Sequence, residues 1–504
     1  MKKSIVRNLS WVLICSFIAK ALGGVYRVVL TRILGTDIGF YQMVFSVYGF
    51  LVVLISSGIP LSISKLISST DDGEARHKII KGAMAILVSV SGVLALLLLF
   101  GGKGIALFQG NERLYLCYAI LSPSLILSAC IAIMRGYFQG IYNFSRPAIS
   151  SILEQITKVI FGLALMMIFR NMFVFGALIG AVLGTLIGDL IEFLFLRISI
   201  KGKINFIYKF NDVKDGVEVI KLSYPIMIYS LLIPFSNFID SFLVVKLLGL
   251  NLPNNTATLL YGLQSGTVGA LISIPSIFSF ALASVLMPSL SGDYANKRYA
   301  RFNQKVVLAF KISLCVAVPF AIYFAMYSGK IISLLYGSKI NGYGVNGEYV
   351  ARILLSINSL SIIFSCFNQL GAVILQNLDK KITPIVNLSI GMLCKLIIQL
   401  MFIPAKRLGI YAYGISVVVG IVVSGVLNLY ATQKYSKNVL ELKFLTKLFI
   451  ASIILILTLL IFKLFNSIFV FVLGSLLSAS VYLILIYLLK VFSKKEFKFL
   501  VNNE

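Results

Sequence analysis

Apolar runs of about 20 residues or more recur fourteen times between Ser10 and Phe492, separated by short polar connections. A helix rises about 1.5 Å per residue and the hydrocarbon core of a bilayer is about 30 Å thick, so each run is long enough to cross a membrane. In hydrocarbon every backbone N–H and C=O must find its partner within the segment, which makes a helix the only fold open to single runs of this length. The expected fold is therefore an all-α polytopic membrane protein with 14 transmembrane helices. The first two runs are Ser10 to Leu34 and Tyr41 to Ile67, the seventh and eighth are Val217 to Leu248 and Thr258 to Leu290, and the last two are Phe444 to Phe465 and Ser467 to Val491.

Only 12% of the 504 residues are charged, yet the formal net charge is +27. Such a surplus could signal nucleic acid, but the cations are dispersed among short loops on one side, which is a topology signal. Lys2, Lys3, Arg7, Arg76, Lys78, Lys81, Lys297, Arg298 and Arg301 are among those on that side, whereas the other side holds only Lys103, Arg113, Arg170, Lys339, Lys406, Arg407 and Lys463. The positive-inside rule then places both termini in the cytoplasm, and no nucleic-acid partner is expected. The six cysteines lie inside apolar runs without metal-like spacing and read as small core residues, so no metal site is expected. The single histidine, His77, lies beside Asp71, Asp72 and Glu74 in a charged loop and reads as part of a solvated face.

Two parts of the chain match at an offset of 237 residues: Gln139, Pro147 and Lys158 correspond to Gln376, Pro384 and Lys395. A second match pairs Arg32 to Gly35 with Lys246 to Gly249 at an offset of 214. The expected organisation is an N-terminal six-helix lobe over residues 1–200, a cytoplasmic linker over 201–216, a C-terminal six-helix lobe over 217–432, and two additional helices with a cytoplasmic tail over 433–504. An even number of spans per lobe starts both on the same side, giving two parallel six-helix repeats with a cleft between them. Helix breakers at Gly58, Pro60, Pro225, Pro234, Pro275 and Pro288 are candidate hinges, because proline frees a carbonyl and bends a membrane helix.

The ionisable residues inside the runs carry the functional information. Lys20 and Arg27 are seven residues apart, which returns a helix to within about 20° of its starting direction, so both share one face of the first span. A cation at the bilayer centre costs roughly 2.5–3.5 kcal/mol on insertion scales, so two on one face point to a cavity or an anion. Arg32, Lys65, Arg135 and Lys246 lie near span ends, where they can snorkel to headgroups. Glu154 and Lys158 are four apart in the order that favours an ion pair. Asp240 is an acid well inside the seventh span, a counter-ion to a cavity cation or a proton or sodium site. Cations exceed acids within the spans more than twofold, and a cavity with surplus positive charge favours an anionic substrate bound through charge-assisted hydrogen bonds. No Gly-x-x-x-x-Gly-Lys-Ser/Thr loop and no hydrolase constellation is present, so neither an enzyme nor a nucleotide cofactor is expected.

Three stretches carry a family resemblance: GTDIGFYQMVFSVYGFLVVLISSGIPLSISKLIS from Gly35 to Ser68, RGYFQGIYNFSRPAISSILEQITKV from Arg135 to Val159, and IPSIFSFALASVLMPSLS from Ile274 to Ser291. The chain resembles the multidrug/oligosaccharidyl-lipid/polysaccharide exporter superfamily, and within it the stage V sporulation protein B and polysaccharide biosynthesis branch, related to the lipid II flippases. That resemblance implies a multi-pass protein of a bacterial cell membrane that flips polyprenyl-diphosphate-linked saccharides by alternating access. It also implies that the last two helices hold the lipid tail. Lys20 matches a basic position of the flippases' first helix, whereas Arg27 falls one residue from their second, where this chain has Tyr26. Their second-helix arginine has no equivalent in Phe50 to Leu54, and Ala270 occupies a further basic position. The resemblance thus leaves Lys158, Lys311, Arg352 and Lys395 to supply charge to the headgroup, with Arg32, Lys65 and Asp240 as further candidates.

The leading expectation is a flippase for an anionic lipid-linked saccharide such as lipid II or a related cell-wall precursor, including that of the spore cortex. Its partners would be membrane lipids and cell-wall synthesis enzymes. The alternative is a proton- or sodium-coupled exporter of organic cations from the same superfamily, which would rest on Asp240, Glu154, Asp189 and Glu192. A third reading is a lipid scramblase or a membrane scaffold for envelope synthesis. Coupling to a proton, to sodium or to the membrane potential is compatible with the residues present.

Overall fold

The computed structural model describes residues 2–70, 72–200, 213–437, 439–464 and 467–492. The expected linker is therefore outside the described residues over 201–212, as are Asp71 and the tail from 493. The described residues form helices and turns, with one isolated bridge between Gly342 and Val345. Among the described residues thirteen stretches are long and apolar enough to cross a membrane. The first, Ile18–Ser68, has 51 residues, about 77 Å of helix and more than twice the hydrocarbon thickness. This stretch covers the first two expected runs, and here the thirteen stretches and the fourteen expected runs differ.

Local chemistry explains where these helices begin and end. Helix α1 (Lys2–Leu34) stops at Gly35, whose φ of 56° is left-handed and open to a residue without a β-carbon. Helix α2 (Ile38–Ser56) ends before Gly58, at φ 77°, and α3 (Ile59–Ser68) restarts with Pro60 in its first turn. Proline is accommodated there because its missing N–H has no intrahelical partner. The side chain of Asp72 caps α4 (Gly73–Phe108) by accepting from the Glu74 amide at 3.0 Å. Next come α5 (Tyr115–Gly140), α6 (Ser145–Phe169), α7 (Gly176–Ser199), α8 (Val213–Gly249) and α9 (Asn254–Gly262). A π-helical stretch, Leu263–Val268, joins α9 to α10 (Gly269–Ala295). The remaining helices are α11 (Tyr299–Leu335), α12 (Gly347–Asn377), α13 (Ile382–Phe402), α14 (Gly409–Gln433), α15 (Leu442–Lys463) and α16 (Ile468–Leu488).

Of the expected breakers, Gly58 and Pro60 interrupt a helix, whereas α8 runs through Pro225 and Pro234 and α10 spans Pro275 and Pro288. The π stretch and a non-helical Tyr327 within α11 (φ −109°, ψ 15°) carry no proline signal.

Packing groups the chain into two compact units. One holds Met1–Leu271, Leu335–Gly347 and Leu400–Ile410, and the other holds Ile272–Leu334, Glu348–Gln399 and Tyr411–Glu504. The expected lobes follow the repeat along the chain, whereas these units follow contact, and α8 and α9 pack in the first unit.

In the first unit, α7 lies against α6 along a stripe of Gly176, Gly180, Gly184 and Gly188, each four residues from the next. A β-carbon added at Gly184 would stand 2.3 Å from the Gly162 Cα, and one at Gly180 would stand 2.5 Å from the Leu165 carbonyl carbon. Backbones this close need the small residues that drive helix association in membranes, where apolar side chains gain nothing from leaving lipid. In the second unit, α15 and α16 dock on α11 through polar clips. The Tyr327 hydroxyl donates to the Leu459 carbonyl at 2.7 Å and the Tyr482 hydroxyl donates to the Cys315 carbonyl at 3.0 Å.

Gly184→Val should force α6 and α7 apart. We expect a loss of about 1–3 kcal/mol in stability, read by thermal unfolding in detergent. Gly92→Ala, which meets nothing within 4 Å, should unfold like the parent.

Candidate functional site

The glycine stripe sets two charged helix faces against each other. A β-carbon at Gly188 would stand 3.1 Å from the Glu154 carbonyl oxygen and 3.4 Å from the Lys158 Cβ, so the acids just beyond it on α7, Asp189 and Glu192, face the ionic turn of α6. Helix α5 contributes Arg135. Its Nε donates to Glu192 Oε1 at 2.9 Å, its Nη2 lies 2.6 Å from the same oxygen, and Nη2 also donates to the Ser151 hydroxyl at 3.0 Å. The Ser150 hydroxyl adds a further donor to Glu192 Oε1 at 2.7 Å. Glu192 is thus buried with three donor contacts on Oε1.

Asp189 is buried too and takes the Tyr48 hydroxyl on Oδ2 at 2.9 Å, together with the Ser124 hydroxyl. A buried carboxylate persists in a medium of low dielectric when charged or hydroxyl donors replace the water it has lost.

Glu154 is held differently. Its Oε1 accepts from Lys158 Nζ and from Gln155 Nε2, each at 3.1 Å, while its Oε2 lies 3.7 Å from Arg135 Nη2. The expected pairing of Glu154 with Lys158 is present. Both side chains keep some exposure, 17% and 19%, against 2% for Glu192.

Helix α1 packs on α6 next to this pair. Lys20, Gly23 and Arg27 share one face of α1. Gly23 rests on Gln155, whose Oε1 would be 3.1 Å from an added β-carbon, and Gly162 rests under the Tyr26 hydroxyl. Lys20 and Arg27 are exposed. Arg27 and Lys158 both act electrostatically on the buried Tyr41 of α2. Of the expected substrate residues, Arg27 and Lys158 both act on Tyr41, and Lys20 shares the α1 face of Arg27 and of Gly23, which meets Gln155 next to Glu154.

The other expected residues stand apart from this group. Arg32 and Lys65 are exposed in the last turns of α1 and α3. Asp240 is buried on α8, within electrostatic reach of Tyr261. The remaining three belong to the second unit. Lys311 is buried and paired with Glu441, just before α15, at 3.0 Å. Arg352 is exposed on α12 with its Cδ against Gly329, and Lys395 is half-buried on α13 with its Cβ against Gly420. Two residues expected to snorkel do otherwise. Arg135 turns into the protein because Glu192, Glu154 and Ser151 offer it acceptors, and Lys246 sets its ammonium 3.2 Å from the centre of the Phe108 ring, a cation–π contact.

Sequence reasoning passed over Arg135, Ser150, Ser124 and Tyr48 as parts of this network. The available signal was the run of glycines at every fourth position leading into Asp189 and Glu192. It marks a helix face that meets another backbone and then carries charge. At two of the equivalent positions the second unit carries neutral side chains, while Lys395 keeps the charge of Lys158. At offsets of 237 and 236 from Ser150 and Glu192, Asn387 donates to Asn428 at 2.8 Å, and Asn428 donates to Asn368 at 2.6 Å.

Removing one partner of the Arg135–Glu192 pair leaves an uncompensated buried charge. Arg135→Met and Glu192→Leu should each destabilise by about 3–5 kcal/mol, and the double variant by clearly less than the sum. A double-mutant cycle of unfolding in detergent that returned purely additive losses would contradict this pairing.

Comparison with known proteins places this geometry in context. The chain is 24% identical to Lipid II flippase MurJ of Bacillus subtilis (strain 168) over 79% of this chain and 77% of that protein. It is 23% identical to Stage V sporulation protein B of the same organism over 86% and 84%. Its fold is similar to a structure of Lipid II flippase MurJ in an inward closed conformation, with a TM-score of 0.76 at 18% identity, covering 95% of this chain and 98% of that one. The family model described as polysaccharide biosynthesis protein matches residues 5–292, the region holding the glycine stripe and its ionic network, and the chain is a multi-pass membrane protein belonging to that family.

Proposed function

We propose that this protein is an alternating-access flippase that carries an anionic polyprenyl-diphosphate-linked saccharide, lipid II or a related cell-wall or spore-cortex precursor, from the inner to the outer leaflet. In this reading it transports its cargo without transforming it. The chain crosses the membrane fourteen times, with two parallel six-helix repeats, two additional helices and both termini in the cytoplasm. The observation that supports the reading is the meeting of α1 and α6, membrane-spanning helices that carry Lys20 and Arg27 on one and Lys158 on the other. Cations in hydrocarbon are costly without an anion, and a diphosphate offers several acceptor oxygens to more than one of them at once. The names of the relatives, a lipid II flippase and a sporulation protein, support the same cargo class.

The cation-exporter alternative needs acids that are open to a cationic drug. Glu154, Asp189 and Glu192 instead accept hydrogen bonds from lysine, glutamine, arginine and hydroxyl groups of the chain itself, which favours the anionic cargo. The membrane potential acts on such a site with roughly 2.3 kcal/mol per charge per 100 mV, so it is a sufficient driving force, with a coupled proton or sodium ion as the other source.

The test is transport of lipid II in proteoliposomes, followed by its accessibility on each leaflet. Lys20→Ala/Arg27→Ala should lower the rate at least about tenfold, corresponding to roughly 1.4 kcal/mol of lost binding. Parent protein that moves no polyprenyl-diphosphate saccharide, or a double variant as fast as the parent, would overturn the proposal.

A further inference from the structure

Glu154 poses a problem that its neighbours do not. Glu192 is 2% exposed and takes three donor contacts on one oxygen, and Asp189 is buried under two hydroxyls. Both acids are locked. Glu154 sits at the partly open edge of the network, where α1 presents Gly23 to Gln155, and it occupies the ammonium of Lys158. A site built to receive an anion is therefore partly filled by the protein's own carboxylate.

The geometry also provides a place for that carboxylate to go. Its second oxygen already lies 3.7 Å from Arg135 Nη2, just beyond hydrogen-bonding distance. A small rotation of the side chain, taking over the N–H that now donates to Ser151, would close that gap while releasing Lys158, so Glu154 would keep a cationic partner throughout. Without Arg135 the released carboxylate would be stranded in low dielectric, which costs several kcal/mol. Arg27 acts on Tyr41 together with Lys158, so an anion held there would have a second cation near it.

We propose that Glu154 is a resident counter-ion: it neutralises Lys158 while the site holds no cargo, yields it to the diphosphate of the incoming lipid by turning to Arg135, and reclaims it on release. This rests on the anionic-cargo reading given above and adds to it an internal competitor that tunes affinity. A competitor of this kind weakens binding and speeds release, which suits a transporter that must let go on the far side.

Binding of undecaprenyl diphosphate to the full-length protein in nanodiscs, measured by native mass spectrometry, tests the proposal. Glu154→Gln keeps the shape and hydrogen-bonding capacity of the side chain but removes its charge. It should bind the probe about fivefold to tenfold more tightly than the parent. Damage to the fold would weaken binding, so tightening is a readout that a purely structural role does not produce. Glu154→Asp, which keeps the charge, should stay within about twofold of the parent. Adding Lys158→Met to Glu154→Gln should abolish the gain, because the competition is for that ammonium. If the parent binds the probe and Glu154→Gln binds it equally or more weakly, the counter-ion role falls while the cargo assignment stands. If the parent does not bind it at all, the cargo assignment falls and the counter-ion role falls with it.

Discussion

The close approach of α7 to α6 is the contact on which the charged network depends. Four glycines at every fourth position remove the side chains that would hold two helices at ordinary separation, and the backbones meet at Gly162 and Gly184. In lipid this contact is stabilised by dispersion and by backbone proximity, since burying leucine against leucine gains little over burying it against acyl chains. The same approach sets the register. With Gly188 against Glu154 and Lys158, the carboxylates of Asp189 and Glu192 are delivered to the donors on α2, α5 and α6.

What this register assembles is a membrane-embedded ionic cluster whose charges are largely answered from within. Arg135 and Lys158 meet Glu192 and Glu154, the Ser150 hydroxyl adds a donor to Glu192, and the hydroxyls of Tyr48 and Ser124 donate to Asp189. Replacing such a cluster by well-packed apolar groups would often be neutral or stabilising, so its presence is better explained by what it holds ready than by stability. The second unit makes the contrast concrete. Its helices α12, α13 and α14 bridge the corresponding positions with Asn368, Asn387 and Asn428, a neutral solution to the same packing problem. Charge is therefore not needed to join such helices, and the ionic cluster of the first unit accords with a site there for a charged cargo.

Particular residues mark how far the sequence alone could be read. The pairing of Glu154 with Lys158 was legible because the partners are four apart, within the reach of helical geometry. Arg135 reads from sequence as a surface residue, because a position near a span end says nothing about an acceptor 57 residues away. Lys311 was assigned to the headgroup on charge alone, and its partner Glu441 is 130 residues distant. Gly58 and Pro60 broke a helix as expected, since both act on the local backbone, whereas Pro225 and Pro234 did not, since neighbouring helices can re-satisfy what a membrane proline frees.

By itself the sequence determined the membrane-spanning helical class, the apolar segments and the presence of costly cations within them, because these follow from segment length, hydropathy and the period of a helix. Tertiary structure alone decided which cations are answered from within, which lie exposed beside them, and which acid stands at the edge of the network. Those outcomes depend on how closely two backbones approach and on where side chains distant in sequence come to rest. The energy of a charge in a membrane is set by its neighbours in space rather than by its position along the chain.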